Sequence, residues 1–307
     1  MPSTDVSPTT AGLDIGARRF LHPGPLRWLR ALGWGVLLFV VFSFFYGLLG
    51  LATDHVGMLD GTAIGTLVAA LASVLALVLY ARFVGWAEFR RASELGLKQA
   101  APELLIGCLI GVGMMAVVVG ALLISGLYEQ SGPRAASPWG MITIGIMSGF
   151  FEELIFRAIV LRLLMRAFGI WPALALSAAL FGALHLGNPN ATAVAAIAIA
   201  VEAGLMLASF YLLTGRLWMS IGVHAAWNFA QGWIFGARVS GLPVTESLYL
   251  STPKAGAPTW LSGGDFGPEA SVPAMVVGTG AAIVVLYWAW KKGNFKALPD
   301  TPKIEAA

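Results

Sequence analysis

The stretch MSGFFEELIFRAIV, Met147 to Val160, sets two adjacent carboxylates and a guanidinium, Glu152, Glu153 and Arg157, inside an apolar run. Elsewhere the chain avoids charge: 11% of its residues are charged and 58% hydrophobic. An ionisable group at bilayer depth costs about 2.5–3.5 kcal/mol on insertion scales, so it persists where it pairs, faces a bundle interior or does chemistry. Glu153 and Arg157 lie one helical turn apart and share a face, which predicts an ion pair. Glu152 is turned about 100° away from Glu153 and has no cation on its own helix.

Four further polar residues lie deep in apolar runs: His185 in FGALH, Glu202, and His224 with Asn228 in HAAWN. Phe181 precedes His185 by one turn and shares its face, where its ring can pack beside the imidazole. His224 and Asn228 share a face in the same way. A carboxylate beside an imidazole can hold a water molecule and take its proton. An imidazole and a carboxamide on another helix can donate hydrogen bonds to a developing oxyanion. Together these are parts for hydrolysing an amide bond inside a membrane. His and Glu are also zinc ligands, but HExxH is absent, and two histidines with one glutamate make a minimal site. Plainer roles compete: a lone intramembrane histidine can be a helix contact, and Glu-Glu-Arg can merely lock two helices together. For Glu202 the plain reading is a polar helix contact or a side chain reaching an interface; the alternative is a residue lining a substrate entrance. Trp227 and Trp233 read as packing or interface aromatics.

The elements that must position these residues are membrane spans. Mean hydropathy is +0.79 over 307 residues, and apolar stretches of about 20 residues recur. The fold class expected is all-α: a polytopic helical membrane bundle of about eight transmembrane helices. The spans are drawn at Ala31–Ala52, Thr62–Val84, Glu103–Leu127, Trp139–Leu161, Trp171–Gly187, Ala191–Leu213, Leu217–Gly236 and Val272–Trp290. The fifth and sixth are separated only by NPN and form a tight hairpin. A rise of about 1.5 Å per residue sets Glu152 roughly 15 Å, His224 roughly 10 Å and His185 roughly 20 Å from the same membrane face. His185 is thus somewhat far outward, a gap that a helix starting late after Pro172 would narrow.

With these spans, one set of loops and span-flanking ends, from Arg18 to Lys296, holds fourteen Lys and Arg residues and the opposite set three, Arg134, Arg238 and Lys254. The bias predicts an even number of spans, both termini in the cytoplasm, and a multi-pass protein of the plasma membrane. The net charge of +3 and pI near 9.1 reflect this distribution and imply no nucleic-acid partner. The single Cys108 lies in an apolar run and reads as a packing residue. The first run lacks a clear cleavage site and reads as an uncleaved span. The chain divides into a tail at 1–30, three helices at 31–138, four at 139–236, an external Gly/Pro-rich loop at 237–271, and a last helix with its tail at 272–307. Residues 1–12 and 297–307 read as disordered.

The ordered trio EELIFR, FGALH and HAAWN resembles the pattern EExxxR, FxxxH, HxxxN/D of the CPBP family of intramembrane proteases, also called type II CAAX prenyl endopeptidases or the Abi family. LLTGRLWMSIGVHAAWNF and WLSGGDFGPEAS look like bacterial members. The resemblance covers about Trp139–Gly236; the first three spans carry no usable motif. It implies Glu152 as the base that activates water, assisted by His185, with His224 and Asn228 stabilising the oxyanion and Glu153, Arg157 and Phe181 in support. The substrate implied is a membrane-associated peptide or protein reached through the lipid bilayer, without prenyl-protein processing being predicted. No cofactor is required in this reading; a metal-dependent version uses zinc on Glu152, His185 and His224. The rival functions are a non-enzymatic immunity or scaffold protein and, behind it, a proton-coupled transporter.

Overall fold

A computed structural model describes residues 13–55 and 61–295. The two tails read as disordered, and Lys296 of the charge count, lie outside the described residues. Among the described residues the regular elements are helices and one two-stranded ribbon, joined by loops. Its helices are α1 (Arg27–His55), α2 (Ala63–Glu88), α3 (Ala100–Ile124), α4 (Trp139–Met147), α5 (Arg162–Phe168), α6 (Ile170–Leu184), α7 (Ala193–Ile199), α8 (Leu205–Thr214), α9 (Trp218–Phe229), α10 (Thr259–Ser262) and α11 (Val272–Lys291). Strands β1 (Tyr128–Ser131) and β2 (Leu250–Pro253) pair antiparallel, Tyr128 opposite Pro253.

Wide-turn π segments join several of these into longer rods. Ser148–Glu152 and Leu154–Leu161 run α4 into α5, Ala200–Gly204 joins α7 to α8, and Ala230–Ile234 extends α9. Eight long helical segments result, and the protein is a helical membrane bundle. By length and composition, six described helices can cross a membrane. The two long segments outside those six, residues 139–168 and 218–234, carry Glu152, Glu153, Arg157, His224 and Asn228. Outward faces are apolar, with Leu37, Val40 and Phe44 on α1 and Leu67 and Leu71 on α2 exposed. Such a surface is stable against lipid and costly against water.

Helix ends follow local chemistry. Thr62, Thr192 and Ser271 each accept a backbone N–H three residues on, as N-caps do. Gly215 ends α8 in the left-handed conformation that glycine adopts without strain.

Helix α9 is held by small residues on both sides. On α3, a Cβ at Gly107 would strike the Met219 carbonyl and one at Gly111 the Val223 carbonyl; Gly222 faces them from α9. On the other side, a Cβ at Gly149 would lie 3.0 Å from the Ala225 Cβ. Stripes of this kind let helix backbones approach closely in membranes. Cys108 sits half-buried on α3 beside this seam.

At the Arg-rich end of the bundle several of the loop-side charges are buried. The fourth rod runs on past Leu161 to Phe168, so Arg162 is fully buried. Arg162 Nη2 meets Glu88 Oε1 at 2.8 Å, Arg90 Nε meets Glu88 Oε2 at 2.7 Å, and Arg90 Nη2 meets Glu94 Oε1 at 2.8 Å. Trp34 Nε1 donates to Glu88 at 2.8 Å, and Tyr80 donates to Glu94. Burial works against the Arg90 charge, but the Glu94 and Glu88 carboxylates prevail and hold its guanidinium above the ordinary arginine value. Arg216 likewise pairs with Glu103.

Candidate active site

Glu152 and Glu153 sit where the two π segments of the fourth rod meet. Wide turns of this kind often mark functional sites in membrane and soluble helices. Glu153 is fully buried, and its Oε2 lies 3.1 Å from Arg157 Nε, the one-turn ion pair expected from spacing. Its other oxygen, Oε1, accepts from His224 Nδ1 at 2.9 Å. Arg157 also donates from Nη2 to the Ala203 carbonyl at 3.3 Å, and its guanidinium lies 4.9 Å from the Phe181 ring.

Glu152 has a different environment. No described ion pair joins it to Lys or Arg. Its Oε1 accepts from the Tyr46 hydroxyl at 3.0 Å, and its Oε2 lies 4.0 Å from His224 Nε2, beyond direct hydrogen bonding. Its side chain is 18% exposed, against 0% for Glu153. That exposure opens into a cavity of about 300 Å³ also lined by His185, Asn228, Ser148 and Tyr46.

His185 ends α6 and opens the following turn. α6 begins at Ile170, so the late start after Pro172 does not occur, and His185 remains at the end of its helix. It lines the cavity together with Val239, Ser240 and Leu242 of the loop that follows α9 and its π extension. His185 Nδ1 lies 2.7 Å from the Phe181 carbonyl. A carbonyl only accepts, so Nδ1 carries the hydrogen and Nε2 is free as an acceptor in the neutral ring. The Phe181 ring stands 4.8 Å from His185 and 6.2 Å from His224, between the two histidines. Asn228 Nδ2 donates to Ser148 Oγ at 2.9 Å, leaving its second N–H.

A smaller adjoining cavity of about 20 Å³ is lined by His185, His224, Asn228, Glu202, Ser240 and Glu269. Glu202 is buried at 1% exposure and its Oε2 has no hydrogen-bond partner, so it does not reach an interface. Glu269 comes from the 237–271 loop, which turns inward, and Ser240 N–H donates to its Oε1 at 2.5 Å. Burial pushes the Glu269 carboxyl above the ordinary value, against that hydrogen bond and the nearby His185. Trp227 packs in the core, and Trp233 stacks on Phe229 at 5.2 Å.

Tyr46, Ser148 and Glu269 are the site residues that motif reading misses. Tyr46 lies on a span without a motif, and Ser148 and Glu269 are ordinary polar residues until the fold brings them in. Among the described residues, no group of three or more His, Cys, Asp or Glu side chains is arranged to hold a metal ion.

Helices of membrane-spanning length around a cavity lined by carboxylate, imidazole and amide groups define a polytopic membrane protein with a polar site within its helical bundle. Within it, residues 134–230 match the family model described as Type II CAAX prenyl endopeptidase Rce1-like. The match contains EELIFR, FGALH and HAAWN and supports a membrane-embedded protease, a hydrolase, acting on a protein or peptide in the bilayer. Comparison with curated proteins and with solved structures finds no match.

Proposed function

We propose that this protein is an intramembrane endopeptidase in which Glu152 and His185 activate a water molecule. The observation that carries the reading is a carboxylate with no guanidinium or ammonium ion pair among the described residues, opening into a cavity shared with His185 and Asn228. Water held between Glu152 and His185 Nε2 gives one proton to Glu152 as its oxygen attacks the scissile carbonyl carbon. The resulting oxyanion is met by the remaining Asn228 N–H and by His224 Nε2–H of a doubly protonated ring whose Nδ1–H bonds Glu153. Collapse breaks the C–N bond, and the proton on Glu152 passes to the leaving amine. Glu153 and Arg157 fix the His224 ring and do not touch the reacting atoms. No step in this sequence runs through a metal ion.

The substrate class is a membrane-associated peptide or protein whose scissile bond can reach the 300 Å³ cavity. Both termini are assigned to the cytoplasm on the charge bias of the loops. The test compares purified wild type, Glu152→Gln and His185→Ala on a panel of membrane peptides, with and without a chelator. Both variants should lose cleavage, and chelation should leave the wild type active. Cleavage lost to the chelator and restored by zinc would overturn the metal-free scheme; cleavage kept by Glu152→Gln would overturn the assignment of the base.

A further inference from the structure

We propose that α1 belongs to the catalytic unit and that Tyr46 is the positioning residue of the Glu152 carboxylate, an inference that rests on the protease reading above. The family-matched segment begins at residue 134 and so excludes Tyr46. Yet Phe39, Ser43 and Tyr46, at the i, i+4, i+7 spacing of one helical face, all line the cavity that Glu152 enters. The inner face of α1 is thus a wall of the site.

Two contacts fix the Tyr46 side chain. Its ring stacks on Phe151, the neighbour of Glu152, with centroids 5.3 Å apart and planes 13° from parallel. Its hydroxyl then donates to Glu152 Oε1 at 3.0 Å. With Oε1 occupied, Oε2 is the oxygen left for water, and it is the one on the His224 side. A glutamate has three side-chain torsions, and an unrestrained carboxylate spends much of its time in unproductive rotamers. A positioned base avoids that loss, because small misplacements of a reacting group cost large factors in rate. The Tyr46 hydroxyl touches neither substrate nor water in this scheme; it acts through Glu152.

Tyr46→Phe removes the hydroxyl and keeps the ring stacked on Phe151. The protein is reconstituted in vesicles with a membrane peptide that wild type cuts. Loss of one hydrogen bond to a charged group predicts a fall in kcat of about tenfold to a hundredfold. KM should hold, because the hydroxyl makes no substrate contact. In the Glu152→Gln background the same change should cost nothing further. A second readout is independent of cleavage: thermal unfolding of wild type, Tyr46→Phe, Glu152→Ala (which removes the acceptor) and their double variant, in which direct partners give non-additive shifts. Additive shifts, or a Tyr46→Phe enzyme with wild-type kcat, overturn the proposal and leave the protease reading standing. A rise in KM with kcat unchanged also overturns it, since the hydroxyl would then be a substrate contact. A wild type that cuts no peptide, or equal cutting by Glu152→Gln, sinks the protease reading itself, and the positioning role with it.

Discussion

Two clusters of buried charge lie in this bundle, built from the same residue types and differing in balance. At the Arg-rich end, Glu88 and Glu94 face Arg90 and Arg162, two carboxylates to two guanidiniums, with Trp34 and Tyr80 donating in addition. At the cavity, Glu152 and Glu153 share a single guanidinium, and Glu153 holds it. The remaining carboxylate faces open space and an imidazole. A balanced cluster, fully hydrogen-bonded, fixes helices against one another and has no free valence for a reactant. An unbalanced one beside a cavity keeps a basic oxygen available, at a cost in stability that a purely structural cluster has no reason to bear.

The comparison can be broken by exchanging what each cluster is asked to do. Glu152→Gln should abolish turnover by about 10²–10⁴-fold, the usual reach of a general base. Its unfolding temperature should stay near that of the wild type, because the amide oxygen still accepts from Tyr46. Parallel loss of activity and of stability would put Glu152 in the structural class instead. Arg162→Met tests the other end: it leaves Glu88 and Glu94 to share the single Arg90 guanidinium and should cost about 3–5 kcal/mol in detergent unfolding. Equal stability of that variant would show the cluster at the Arg-rich end to be dispensable.

Gly149→Val asks whether the cavity cluster depends on the approach of two helices. The Cβ position of Gly149 already lies 3.0 Å from both Ala225 Cβ and the Ile221 carbonyl. Overpacking there should cost about 1–3 kcal/mol and move α9 off the fourth rod. The His224–Glu153 contact would then lengthen, so turnover should fall more than unfolding temperature does. The smallest effect is expected at Glu269. Its folded-state value lies above the ordinary 4.5, so the folded chain holds the proton longer than the unfolded one. That contribution to stability is complete below the ordinary carboxylate range and is lost as pH rises through the raised value. Unfolding followed across that window should show a shallower pH dependence in Glu269→Gln than in wild type; identical slopes would remove Glu269 from the account.

The motif residues were legible for a physical reason. A helix repeats every 3.6 residues, so Glu153 and Arg157, or Phe181 and His185, meet through local geometry alone. The lengths of apolar runs mark spans by the same local logic, and the fourth and seventh carry Glu152, Glu153, Arg157, His224 and Asn228. Charge counting was less informative. Arg90, Arg162 and Arg216 satisfy a loop-charge rule, yet each pairs with a carboxylate. Distribution along a chain records which side a residue lies on and is blind to its partner.

The amino-acid sequence alone therefore determined the helical membrane class, the order of the three polar motifs and the one-turn ion pair, all of which depend on neighbours within a few residues. Tertiary structure decided the rest. Tyr46 meets Glu152 across 106 positions, Arg162 meets Glu88 across 74, and Asn228 meets Ser148 across 80. Such pairs have no periodicity to betray them. The Asn228–Ser148 contact exists because Gly145 and Gly149 on the fourth rod let it approach Ala225 on α9.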